Sequence, residues 1–548
     1  MSLVQLSKYT AVILLFSLST FANDIDEIHI RVNQVGYSNE KPKSAFILSN
    51  DDLKGERFEI IDDYNQKTVR SDFVGSSSGE YAKFEYLFKI NFSDFKSSGT
   101  YRIKIKGVYS HKFKIGKDLF TSIPKKLIKF FGVQRCGYTN PTTHEPCHRS
   151  DVSYLIDGGD TLHQQHDVSG GWHDAGDYIK FLNTTAYATY TMLFSYEFNK
   201  EYFEFDKNSN NVPDILEEAK VGLDWLLRSY KDEGGLISQV QDLRDHTVGW
   251  RMPDKDTLQF DRPGFVGIGK NTIGIYTATL ALASKIWKER FNSLEFADEC
   301  LTKAENIFSY RNSVVDIDSS TSAYLDNSFK GKLALGAIEL YRINQQEDYL
   351  ELSKKLASEE GVNYWWSYSE ITDFTFYRLS EYDSSFAEYI QKSLLHFENI
   401  MHENQFDSGA EFYWGSNHTI LGIALKSILY KEITNSKRFY ELAASQIDYI
   451  LGKNPWGLSF IGSVGSKYSR DFHHQVSYLT KRRLPGGFAA GPVKKEILDS
   501  YNIEYDHKDK YSAFQTDEAV YRDDRMDYVT NEPTIIANAT GMFVFANL

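Results

Sequence analysis

The segment Gly170-Gly171-Trp172-His173-Asp174-Ala175-Gly176-Asp177 sets two carboxylates among glycines, and Asn531-Glu532, almost at the far end of the chain, supplies a third. Small residues let the backbone turn tightly enough to bring both aspartates to a cleft floor. Acid–base cleavage of a glycosidic bond needs one protonated carboxyl at the leaving oxygen and one ionised carboxylate facing water. A fold that returns Glu532 to the Asp174 and Asp177 loop meets that need. A lone acid is usually a cap or a surface residue, but the Trp, His and glycines here weaken that alternative.

A second kind of chemistry is written in Cys136, Cys147-His148 and His173. Two thiolates and two imidazoles make a closed tetrahedral shell suited to a structural zinc ion, with no open position for catalysis. A Cys136–Cys147 disulfide is the alternative, since an oxidising compartment permits one. Cys300 falls in a helical stretch and reads as a buried free thiol. A candidate calcium loop runs from Asp206 to Glu217. Asp206, Asn208, Asn210, Asp214 and Glu217 fall at the oxygen-ligand positions of an EF-hand-like loop, and Val212 offers a carbonyl. Asn211 stands where glycine is usual and tolerates the left-handed turn. The alternative is a solvated turn capped by Asp214 before a helix.

Two regions with different periods must position these residues. From about Glu27 to Gly116 apolar and polar residues alternate, as in Tyr101-Arg102-Ile103-Lys104-Ile105-Lys106, which predicts a β-sandwich of immunoglobulin size. Beyond Lys117 the period turns helical. Ile215, Ala219, Gly222 and Leu226 mark one face after Pro213, and helices are expected around 272–287, 333–342, 386–401, 421–430 and 443–451. Strands followed by helices imply two domains, divided at residue 117, that pack directly because no low-complexity linker separates them. Lys8, the apolar run Ala11-Val12-Ile13-Leu14-Leu15-Phe16 and Thr20-Phe21-Ala22 read as a signal peptide over residues 1–22, so the protein is expected to be secreted, outside the cell or in the periplasm. With 548 residues, 41% of them hydrophobic, the chain can fill one large core and a smaller one. Its formal charge of -14 argues against nucleic-acid or anionic-membrane partners.

Taken in order, Val32-Asn33-Gln34-Val35-Gly36-Tyr37, the Asp174 and Asp177 segment, Asn211-Val212-Pro213-Asp214-Ile215-Leu216, Tyr413-Trp414-Gly415-Ser416-Asn417, Leu451-Gly452-Lys453-Asn454-Pro455 and Tyr528-Val529-Thr530-Asn531-Glu532 resemble the motifs of family 9 glycoside hydrolases. The likeness extends to the subgroup with an N-terminal immunoglobulin-like module. It implies an immunoglobulin-like β-sandwich followed by an all-α (α/α)6 barrel, inverting hydrolysis of β-1,4-linked glucan, and a β-linked polysaccharide or oligosaccharide as partner. It further implies Glu532 as general acid, Asp177 as general base, Asp174 as their partner in holding water, and zinc on Cys136, Cys147, His148 and His173. Calcium binding is also a family property. Trp172, His246, Trp250, Tyr413, Trp414 and His473 become the substrate-binding candidates, because sugar faces stack on rings and their hydroxyls need donors and acceptors.

Two positions depart from the family pattern. Gln475 stands where a substrate-binding Arg is expected after His473, and Ala537 replaces an aromatic ring after the acid. Both changes bear on hydroxyl recognition. They keep an exo-acting β-glucosaminidase of chitosan oligosaccharides in view as the alternative substrate reading. A noncatalytic carbohydrate-binding protein is disfavoured, because binding alone does not require Asp174, Asp177 and Glu532 together.

Overall fold

The computed structural model describes residues 28–548 except 150, 152, 153, 163, 232, 233, 257–261, 319 and 321–323, so the signal-peptide segment lies outside the described residues. Alternation does what it predicts in the first domain. Ile103 and Ile105 of the strand Gly99–Ile105 are buried while Arg102 and Lys104 are only partly covered, and the same pattern builds a three-stranded sheet facing a six-stranded one. Ile60, Ile103, Phe88 and Phe113 fill the space between.

The module docks on the helical domain through specific polar groups. Arg31 donates to the Pro455 carbonyl at 2.9 Å, Asn33 to Asp448 Oδ1 at 2.8 Å, and the Gln34 side-chain oxygen accepts from Ser466 and Lys467. Direct packing without a linker is therefore confirmed.

The helical domain alternates two helix types. Leu182–Phe198, Lys270–Phe291, Lys330–Asn344, Thr372–Leu379, Ser416–Thr434 and Ile535–Ala546 bury residues around most of their circumference. Each packs on the next, and Ile535–Ala546 packs back on Leu182–Phe198. Outside them lie amphipathic helices such as Asp214–Ser229, where Ile215, Ala219, Gly222 and Leu226 are all buried as expected. An apolar stripe covers one face of an outer helix, whereas an inner helix needs apolar or hydrogen-bonded residues on every side.

An all-α second domain is corrected by a small sheet of strands between Leu155 and Gly267, including Lys180–Phe181, Gly235–Val240 and Gly264–Gly267. The pairing of Lys180 with Val240 fixes the chain just after Asp177 against the turn that carries Asp245 and His246. Among the described residues no helix is long and apolar enough to cross a membrane.

Candidate active site

The glycine-rich loop is tied down at both ends by backbone hydrogen bonds. Cys136 N–H donates to Gly171 O at 2.9 Å, His173 N–H to Gln134 O at 2.8 Å, and Asp174 N–H to Ile179 O at 2.9 Å. Gly176 cannot be replaced in this path, because a Cβ there would collide with the His473 carbonyl. Its amide donates to Glu532 Oε1 at 3.0 Å, which brings the end of the chain to the loop. Fully buried Asn531 anchors that end, accepting from Tyr521 Oη at 2.7 Å and donating to the Asp471 carbonyl at 2.6 Å.

Asp174, Asp177 and Glu532 line one cavity of about 950 Å3. Burial pushes Asp174 up to about 6, against the Thr184 and Tyr324 hydroxyls, with the nearby Asp177 charge adding to the rise. The Tyr324 hydroxyl donates to Asp174 Oδ2 at 2.6 Å. Burial also raises Asp177, opposed by His246 and reinforced by Asp245. A backbone hydrogen bond from Ile179 at 3.2 Å favours the ionised form of Asp177, but burial outweighs it. Glu532 is held well above the ordinary carboxylate range, first by burial and then by the charge of Asp177. The pair therefore shares its ionisation: once Asp177 loses its proton, its charge keeps the proton on Glu532.

His246, Trp250, Trp414, His473 and Gln475 all line the same cavity. His473 Nδ1 donates to the Arg525 carbonyl at 2.7 Å and burial lowers its pKa to about 4, so Nε2 is an acceptor at neutral pH. Trp250 packs edge-on against His473, and Gln475 Oε1 accepts from the Arg251 amide at 3.1 Å. Ala537 also lies on the wall.

Two sequence candidates fall elsewhere. Trp172 is fully buried, seated on Gly222 with its indole N–H donating to Glu218 at 2.8 Å, so it anchors the loop from beneath instead of facing the cavity. Tyr413 is 39% exposed, lies off the cavity wall and backs Trp365 with ring centroids 5.6 Å apart. The structure adds Tyr324, Trp365, Tyr368, Tyr501 and Tyr528 to the lining. Only Tyr528 had a sequence signal, its place beside Asn531-Glu532.

Cys136, Cys147, His148 and His173 converge beneath the loop, all buried, their ligand atoms within 4.8 Å of one another. The separations are 3.9 Å for Cys136 Sγ to Cys147 Sγ, 3.6 Å for Cys136 Sγ to His148 Nδ1, 3.8 Å for Cys147 Sγ to His173 Nε2 and 3.3 Å between the two imidazole nitrogens. A tetrahedral zinc site with usual bond lengths has edges of about 3.8, 3.6 and 3.3 Å for S–S, S–N and N–N. The donor set fits zinc, and the sulfurs are too far apart for a disulfide, whose bond is about 2.05 Å. His148 Nε2 lies 3.0 Å from Asp256, the carboxylate partner that orients a ligating imidazole.

Residues 207–211 of the candidate calcium loop are exposed, and Asp206, Asp214 and Glu217 are partly covered. Asn208 and Asn210 side chains meet the Glu217 carboxylate, and Asp206 accepts the Ser209 and Asn211 amides at 2.7 Å each. Asn211 adopts φ 67°, as its glycine-like position requires. Asp214 opens the helix, and its Oδ1 accepts the Lys207 amide at 2.8 Å.

An immunoglobulin-like module, a two-layered set of helices and an aromatic cavity holding three acids together define the class: a glycoside hydrolase. The chain belongs to glycosyl hydrolase family 9, whose model matches residues 120–545, and the cellulase N-terminal ig-like domain matches residues 26–110. Endoglucanase D of Acetivibrio thermocellus is 24% identical over 516 residues, spanning 86% of this chain and 80% of the relative. The crystal structure of a metagenome-derived family 9 endoglucanase superposes with a TM-score of 0.80 at 22% identity, covering 95% of this chain and 99% of the other. A Zn-binding triple mutant of another family 9 endoglucanase gives a TM-score of 0.79 at 22% identity over 93% of this chain and 99% of its own. At these identities the two structures speak for the fold.

Proposed function

We propose that the protein is a secreted, inverting, endoglucanase-like hydrolase of β-1,4-linked glucan, cellulose-type or mixed-linkage, with Glu532 as general acid, Asp177 as general base and Asp174 helping to hold the attacking water. The observation that carries this reading is the meeting of Asp174, Asp177 and Glu532 on one aromatic-walled cavity, where burial and the Asp177 charge raise Glu532. In a single displacement Glu532 protonates the departing oxygen while Asp177 takes a proton from water attacking the opposite face of the sugar. The carboxyls should stand roughly 6.5–9.5 Å apart. The alternation of all-round buried and amphipathic helices supports an (α/α)6 barrel over 118–548, after a module at 23–117 and a signal peptide at 1–22. Zinc on Cys136, Cys147, His148 and His173 and calcium on Asp206, Asn208, Asn210, Asp214, Glu217 and the Val212 carbonyl belong to the same reading, both structural.

A second reading rests on one observation. Among the described residues the cavity lining holds Asp174, Asp177, Asp245, Glu504 and Glu532 but no Lys or Arg, a wall suited to the ammonium group of a glucosaminide. Proton NMR of the enzyme digesting cello-, mixed-linkage and chitosan oligosaccharides separates the two. Initial α-anomers of glucan fragments support the first reading, and release of glucosamine alone replaces it with exo-acting β-glucosaminidase. Initial β-anomers would refute inversion in either.

The rate should depend on pH in a bell. Activity rises with pH as Asp177 ionises, above the ordinary aspartate range, and falls as Glu532 loses its proton, well above the ordinary glutamate range. A kcat/KM profile already at its plateau at pH 4 contradicts this assignment.

A further inference from the structure

Between the zinc-ligand cluster and the cavity lies a buried set of ion pairs that the catalytic reading does not use. Arg262, fully buried just before the strand Gly264–Gly267, reaches three separate segments with one guanidinium. Nη1 donates to the carbonyl of Tyr178, the residue after Asp177, at 3.0 Å. Nη2 donates to Asp245 Oδ1 at 2.7 Å and to Asp256 Oδ2 at 3.1 Å. Asp256 is the carboxylate that orients His148, and Asp245 precedes the cavity residue His246. Arg251 reinforces the same contacts: its side chain also pairs with Asp245 and Asp256, and its amide holds Gln475. A planar fork with fixed donor directions can serve three acceptors at once, which a lysine ammonium cannot do with the same geometry.

We infer that Arg262 and Asp256 are positioning residues that couple the metal-ligand cluster to the catalytic cavity. Asp256 joins His148 to Arg262, and Arg262 fixes both the backbone beside Asp177 and the turn bearing His246. Misplacement of the base by a fraction of an ångström to an ångström slows the chemical step with little change in ground-state binding. The inference rests on the reading of Asp177 as the base. His246, Asp245, the Ile179 amide and Arg262 act on Asp177, and the Asp177 charge acts in turn on Asp174, Tyr324 and Glu532.

The test uses full-length Arg262→Lys and Asp256→Asn, each purified with zinc and assayed on an oligosaccharide that the wild type cleaves. Arg262→Lys should retain zinc and a near-normal KM while kcat falls roughly 10- to 100-fold. Asp256→Asn should bind zinc roughly 10- to 100-fold more weakly, read by competition with a chromogenic chelator. It should also stay slow when zinc is saturating, because the link is missing and not the metal. Full recovery of kcat by Asp256→Asn in excess zinc, or a wild-type kcat in Arg262→Lys, overturns the coupling and leaves the network a purely stabilising role. Should Arg262→Lys fail to fold, Asp256→Asn in excess zinc decides alone. Turnover surviving in Asp177→Asn instead overturns the catalytic reading, and the coupling with it.

Discussion

Glu532→Gln should fold like the wild type and lose about 10^3-fold in kcat on unactivated oligosaccharides, within the usual range for a general acid and equivalent to about 4 kcal/mol of barrier. The amide keeps the oxygen that accepts the Gly176 N–H, so the loop and the chain end stay joined. It also removes a second carboxyl from beside Asp177, whose charge is one of the causes raising Glu532, so stability should hold or rise slightly. What the amide lacks is a transferable proton. The loss should therefore shrink on a dinitrophenyl glycoside, whose leaving group departs without protonation. Asp177→Asn should be impaired on both substrates, because water still needs a base. Equal losses for Glu532→Gln on good and poor leaving groups would mean that Glu532 does not deliver the proton.

Some parts of the fold are legible in the sequence because they face water on one side. Strand Gly99–Ile105 alternates because one face is core, and helix Asp214–Ser229 shows a stripe because one face is solvent. The helices expected around 272–287, 333–342, 386–401, 421–430 and 443–451 each overlap an observed one. Leu182–Phe198 and Ile535–Ala546 bury nearly every residue and so carry no period to read. The small sheet escaped notice because its two-residue strands are too short for alternation to register and Gly235–Val240 is buried on both faces.

At the site, the convergence of the three acids and of the Cys and His cluster was legible because their residue types are costly to bury without a purpose. Aromatic residues are not, since 15% of this chain is aromatic and most of it packs the interior. Trp365 and Tyr368 reach the cavity from an irregular segment between helices, and Tyr324 from another. Nothing local distinguishes them from core rings. Trp172 fails in the opposite direction: its place in the motif reflects the burial that holds the loop, and Gly222 is the mark of that packing.

Removing zinc should have the largest effect on stability. Cys136, Cys147, His148 and His173 are all essentially inaccessible, so four polar groups sit in the interior, and the proposed ion would be their common partner. Cys147→Ser deletes one thiolate and leaves the other three poorly satisfied, which should cost about 4 kcal/mol or more, the range of a lost structural metal. Elemental analysis should find about one zinc per chain in the wild type and little in the variant. Activity should fall with it, since His173 directly precedes Asp174. The two proposed metals should also differ in rate of loss. EGTA should strip the proposed calcium site, whose residues 207–211 are exposed, within the mixing time and lower the melting temperature modestly, reversibly on adding calcium. A strong zinc chelator should act only as fast as the protein opens around the buried cluster, so its effect should accelerate with mild denaturant. A zinc-free wild type with an unchanged melting temperature would reduce the four ligands to a packed polar cluster, and a chelator effect complete on mixing would place the ion elsewhere.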